Sequence, residues 1–244
     1  MPNLFVNKGM KPRRRNSSVG EDPLPPPPPR LPLVPRGENQ EKLSRFIREK
    51  VPYIVVTGPA GTGKTFVSAR CGLDMTLEGA FERVIVARPI VDVKGASIGY
   101  LQGSLDKKLQ PYLYPVIQVL QDTLGKAAYQ KMLLTGAIEY VHVGHMRGRT
   151  FARSFVLIEE AQNASSDTLL MIMSRLGEGS TMVICGDLQQ PDLSSSHGLA
   201  DLVDRVSRTA LPSFQGISMG VGDVQRSQAL RDLQQLYHGA ARES

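Results

Sequence analysis

Cysteine is nearly missing from this chain: Cys71 and Cys185 are the only two in 244 residues. Both sit in apolar segments far apart in sequence. That argues against a disulfide framework and a zinc-type cysteine cluster, and points to buried thiols in a reducing cytosol. No apolar run approaches the ~20 residues that a membrane-spanning helix needs, and the N-terminus lacks the apolar core of a signal peptide. A cytoplasmic protein with no membrane partner is expected. Internal repeats are absent. The body of the chain also lacks net charge: of the formal +6, residues 1–36 carry +5, from seven basic and two acidic groups, and the remainder carries +1. An argument from overall basicity to nucleic acid therefore fails, and has to be made locally.

What is present begins with residues 1–36, which combine the basic cluster Lys11-Pro12-Arg13-Arg14-Arg15 with the proline run Pro25 to Pro29. Such a segment forms neither helix nor sheet ladder and is expected to be a solvated, polyproline-II-like, disordered arm. It suits an electrostatic contact to nucleic acid or docking to a proline-binding protein partner. Residues 37–244 make up the expected folded domain.

The strongest signal is Tyr53-Ile54-Val55-Val56-Thr57 running into Gly58-Pro59-Ala60-Gly61-Thr62-Gly63-Lys64-Thr65 and then a helical segment. Strand, glycine-rich loop and helix in this order give G-x-x-x-x-G-K-T its meaning. The glycines let backbone N–H groups turn inward onto phosphate oxygens, and the helix N-terminus adds partial positive charge. Lys64 reaches the β- and γ-phosphates, and the Thr65 hydroxyl ligates Mg²⁺.

Further apolar strands are expected at Arg83–Arg88, Ile138–Val143, Phe155–Ile158 and Met182–Cys185, with a weak one near Gly216–Met219. Helices are expected between Gly37 and Lys50, from the P-loop to about Glu78, over Tyr112–Leu134 with a break near Gly125, and through Leu169–Met173, His197–Arg208 and Val224–Tyr237. Residues 90–110, with Gly95, Gly99 and Gly103, read as a long loop. Buried strands alternating with helices make a mostly parallel, doubly wound α/β sheet with helices on both faces.

Phe155-Val156-Leu157-Ile158 ends in Glu159-Glu160. At the carboxyl end of a parallel strand, the first acid is positioned to hold Mg²⁺, and the second to orient and deprotonate the attacking water. Cys185-Gly186-Asp187-Leu188-Gln189 ends the next strand, where Asp187 and Gln189 can sit near the γ-phosphate and report its loss. Arg147, Arg149 and Arg153, with Arg88 and Lys94, are the local nucleic-acid candidates, because guanidinium groups suit phosphates. Tyr100, Tyr112 and Tyr114 are possible base-stacking surfaces. His142 and His145 lack a third metal ligand and read as structural.

Gly58 to Thr65, Arg88-Pro89, Met146-Arg147-Gly148-Arg149-Thr150, Glu159-Glu160-Ala161-Gln162-Asn163 and Gly186-Asp187-Leu188-Gln189 together resemble the PhoH-like ATPases, P-loop proteins related to the superfamily 1 helicases. The resemblance covers residues 37 to about 238. It implies a RecA-like domain that hydrolyses ATP with Mg²⁺ and acts on nucleic acid, RNA before single-stranded DNA. By the same resemblance Gln40 contacts adenine and Arg226 looks like an arginine finger. One lobe requires a neighbouring subunit for motor action, so a homo-oligomeric ring is implied, six subunits in the family. The family's acidic pair is usually Asp-Glu, and Glu159 here is one methylene longer. Two other classes of function stay open: a P-loop phosphotransferase, and an ATP-switched adaptor working through the proline-rich arm.

Overall fold

Short runs of β-branched residues bounded by glycine and proline become strands, and longer runs with 3.6-residue spacing become helices. The computed structural model describes residues 31–89, 105–190 and 197–225, with the backbone alone for 105–110. In chain order the elements are α1 (Glu38–Arg48), β1 (Tyr53–Thr57), α2 (Lys64–Leu77), β2 (Arg83–Arg88), α3 (Leu105–Leu124), α4 (Lys126–Leu134), β3 (Ile138–His142), β4 (Ser154–Ile158), α5 (Ser166–Met173), β5 (Thr181–Gly186), α6 (Gly198–Arg208) and β6 (Phe214–Ser218).

The six strands form one sheet in the order β3-β2-β4-β5-β1-β6, and every neighbouring pair runs parallel. Alternate side chains of each strand enter different cores. Ile54, Val56, Phe155 and Leu157 pack with Leu43 of α1, Leu73 of α2 and Leu120 of α3. Val55, Val156, Ile158 and Ile184 pack with Leu169 and Ile172 of α5 and Leu199 of α6. A sheet covered on both faces needs strands that are apolar throughout, which these are. The fold is a doubly wound, RecA-like α/β domain.

The register decides where the site lies. Thr57 pairs with Gly186, Ile158 with Ile184, and Ala87 with Ile158. The P-loop after β1, the acids after β4 and the Gly186-Asp187 turn after β5 therefore leave the sheet at one carboxyl edge, beside the switch in strand order.

Two expectations change. Helix α3 starts at Leu105, inside the stretch read as loop. Pro111 and Pro115 lie within α3 and hid its start from the sequence. Each proline removes one helical hydrogen bond, but the buried stripe Leu113, Val116, Ile117, Leu120 and Leu124 still seats the helix on the domain. The edge strand β6 begins at Phe214, whose ring stacks on Tyr53 at 4.6 Å between centroids. The closing helix expected over Val224–Tyr237 lies outside the described residues beyond Gln225.

Candidate nucleotide-binding and hydrolysis site

The loop after β1 has the backbone that its glycines permit. Gly61 and Gly63 both have φ of +88°, in the region that favours glycine. A Cβ on Gly63 would stand 2.6 Å from Gln40 Nε2, so a side chain here would strain the backbone and also push Gln40 from its bond to Thr62 O. Thr62 is fully buried, and its hydroxyl donates to Pro59 O at 3.0 Å. Lys64 Nζ lies over the loop, donating to Gly58 O and, at 2.9 Å, to Pro59 O.

The back of the loop is held by a clasp that spacing alone does not reveal. Gln40 Nε2 donates to Thr62 O at 2.9 Å, and Gln40 Oε1 accepts from Arg36 N at 3.0 Å. Gln225 N donates to Gly61 O at 3.0 Å, and Gln225 Nε2 donates to Arg36 O at 3.2 Å. The Arg36 backbone thus joins two glutamines that each grip the P-loop. Gln40, expected at adenine, already uses one N–H and one lone pair inside the chain, leaving one of each for another partner.

Across the sheet edge, Thr65 Oγ1 donates to Glu159 Oε2 at 2.8 Å. Glu159 is buried, and its Oε1 has no hydrogen-bond partner among the described residues. Burial pushes its carboxyl up to about 7; the Glu160 charge adds to this, while the Thr65 bond and the charges of Lys64 and Arg88 oppose it. Glu160 is held in the left-handed region at φ +53°, a conformation costing about 1 kcal/mol for a residue with a Cβ. Its Oε2 accepts from Gln162 Nε2 at 2.6 Å. Asp187 is buried with Oδ2 unpartnered among the described residues, and its Oδ1 accepts the Gln189 N–H at 2.9 Å. A cavity of about 800 Å³ connects these groups. Lys64, Thr65, Glu159 and Glu160 line it, together with the apolar side chains of Leu33 and Phe66. The arrangement offers a phosphate cradle, a hydroxyl–carboxylate pair for a divalent ion, and a pinned carboxylate next to both.

A sequence model of PhoH-like proteins matches residues 32–238. The chain belongs to the PhoH-like family. It is 38% identical over 164 residues to the PhoH-like protein of Bacillus subtilis (strain 168), a match covering 66% of this chain and 50% of that one. It is 35% identical over 178 residues to protein PhoH of Escherichia coli (strain K12), covering 71% and 50%. The chain therefore matches about half the length of these relatives. Among solved structures, the large terminase of a thermophilic bacteriophage shares the fold, with TM-score 0.50 and 11% identity over 83% of this chain and 50% of that one.

The other expected site residues in this PhoH-like domain fall into distinct groups. Gln189 is exposed at the same sheet edge. Arg88, at the end of β2, donates to Tyr112 O at 2.8 Å. Arg147 is exposed. Arg149, expected on nucleic acid, forks onto Glu139 at 2.7 and 2.8 Å and lies 4.9 Å from the Phe151 ring centroid. Arg153 pairs with Glu82. Tyr114 is 63% exposed, whereas Tyr112 is half-buried. Lys94, Tyr100 and Arg226 lie outside the described residues. His142 and His145 meet edge to face at 5.6 Å, and the His142 ring nitrogen Nδ1 accepts the Gly144 N–H. Cys71 and Cys185 are free and buried. No helix among the described residues is long and apolar enough to cross a membrane. Sequence reasoning missed Arg36, Gln162 and Gln225. Gln162 stood inside a quoted motif, but nothing in its spacing indicated a role.

Proposed function

We propose that this chain hydrolyses ATP with Mg²⁺ and couples hydrolysis to binding or remodelling nucleic acid, RNA before single-stranded DNA. The observation that carries the proposal is the 2.8 Å bond from Thr65 to Glu159. It brings a P-loop hydroxyl and a strand-end acid together although 94 residues separate them. The donor set fits magnesium, a hard cation that takes oxygen ligands and keeps several waters. Glu159 Oε1 is a buried carboxylate oxygen lacking a partner among the described residues. Mg²⁺, when bound by Thr65 and Glu159, supplies positive charge to the β- and γ-phosphates. The longer acid does not prevent contact, since Glu159 already reaches Thr65.

The chain's own groups then have separable tasks. The P-loop N–H groups and Lys64 bind and orient phosphate. Gln40 presents its remaining N–H and lone pair towards the base, favouring ATP over GTP. Glu160 takes a proton from the attacking water, and Gln189 lies where loss of the γ-phosphate is felt. Arg226 stabilises charge on the phosphoryl group, either at the site of its own chain or at that of a neighbouring subunit in a closed ring. Arg88 and Arg147 contact the nucleic-acid backbone, as does Arg149 when released from Glu139.

The test is phosphate release from ATP and Mg²⁺, with and without single-stranded RNA and DNA, for wild type and Glu160→Gln. Acceleration by a strand, with a variant that binds ATP but does not turn it over, is the expected result. No release, or release indifferent to both strands, rejects the coupled reading. One observation favours a second reading, the adaptor: the segment that joins the arm to the domain is bonded through Arg36 to both glutamines behind the P-loop. Loss of partner recruitment on deleting residues 1–30, which leaves the Arg36 bonds in place, with turnover unchanged, would favour it.

A further inference from the structure

We propose that Gln162 is a positioning residue for hydrolysis, a strut that fixes the Glu160 carboxylate to the turn after β5. This rests on the reading that Glu160 activates water. The side chain is 4% exposed, and its amide is used at both ends. Oε1 accepts the Asp187 N–H at 3.1 Å. Nε2 donates to Glu160 Oε2 at 2.6 Å. The orientation follows from the partners: Asp187 N can only donate, so the oxygen must face it, and the NH₂ must face the carboxylate.

The surroundings are shaped to this amide. A Cβ on Gly186 would stand 2.8 Å from Gln162 Oε1 and 2.4 Å from Leu199 Cδ2. The strand therefore ends in the one residue that leaves room. Glu160 itself sits in a left-handed conformation at φ +53°. The hydrogen bond pins one carboxylate oxygen and leaves the other for water. The strut also has an input end, since the Gln189 N–H bonds to Asp187 Oδ1 at 2.9 Å. Movement of the turn that carries Asp187 and Gln189 is passed by one rigid amide to the group assigned to the water.

A filler of space and a positioning group make different kinetic predictions. Gln162→Glu keeps an acceptor for the Asp187 N–H but replaces the donor to Glu160 with a second carboxylate. Gln162→Met keeps the volume and removes both bonds. On the full chain, both are expected to lower kcat by about tenfold to a hundredfold, the loss expected for one hydrogen bond to a charged group. The KM for ATP and the affinity for ADP with Mg²⁺ should stay within about threefold, because no group touching nucleotide has changed. Glu160→Gln, measured in parallel, separates the two levels. If it is inactive while both Gln162 variants keep wild-type kcat, the strut is wrong and the assignment of Glu160 stands. If Glu160→Gln turns over normally, the assignment fails and the strut with it. An equal fall in nucleotide affinity and melting temperature would make Gln162 a packing residue and overturn the proposal.

Discussion

At the scale of single residues, the site is governed by how a carboxylate is buried. Glu159 is taken from water and pushed up to about 7, burial being the largest cause. In the unfolded chain it has the ordinary value of 4.5. Between these values the folded protein binds more protons than the unfolded one, so stability is fully present below the unfolded value and is lost as pH rises through about 7. With metal removed by EDTA, denaturant unfolding should show stability falling from about pH 5 to about pH 8, by at most about 1.4 kcal/mol per pH unit. Glu159→Gln should flatten that slope, and a variant that keeps it would place the titration elsewhere. On the proposed reading of Glu159 as a magnesium ligand, added Mg²⁺ should oppose the trend, because the metal would require the deprotonated acid.

Among the elements, α2 approaches β4 closely at Gly72. A Cβ on Gly72 would fall 2.1–2.5 Å from the Phe155 ring. Replacing a helical glycine by alanine ordinarily stabilises by up to about 1 kcal/mol. Overpacking a fully buried aromatic ring costs about 1–3 kcal/mol, and Phe155 cannot retreat from the middle of a two-sided core. Steric cost therefore wins. Gly72→Ala should lower the denaturation midpoint by a net ~1–2 kcal/mol, and an unchanged or raised midpoint would mean that α2 can slide on the sheet. Since α2 begins at Lys64, any such slide also moves the phosphate cradle. The glycine thus couples packing to function.

For the molecule as a whole, the question is where the arm ends and the domain begins. Composition set the boundary at residue 36, yet Leu33 packs against the core. Arg70 donates to Leu31 O, and the Arg36 backbone closes the clasp behind the P-loop. Two truncations should therefore behave differently. Removing residues 1–30 should leave nucleotide affinity unchanged and reduce the salt dependence of the proposed RNA binding, because most of the chain's net charge goes with them. Removing residues 1–36 should weaken ADP binding by about tenfold, the loss of one or two hydrogen bonds supporting the loop. Equal affinities for the two truncations would show that the clasp does not support the loop.

The sequence by itself determined the layers, the strands to within a residue or two, the P-loop and the acidic pair. Those features depend on local rules: β-branched runs, glycines where a loop must turn, and charge at a strand end. It left α3 short, since prolines within a helix look like its boundary until tertiary packing outweighs the bonds they remove. It singled out Arg149 because a guanidinium suits phosphates, but could not show that Glu139, ten residues earlier, is brought beside it. Only the tertiary structure decided that Gln40 and Gln225 meet at Arg36, and that Gln162 bridges Glu160 to Asp187. A glutamine's amide has no periodicity and no fixed partner along the chain. What it does depends on which backbone groups the parallel register brings within about 3 Å of it.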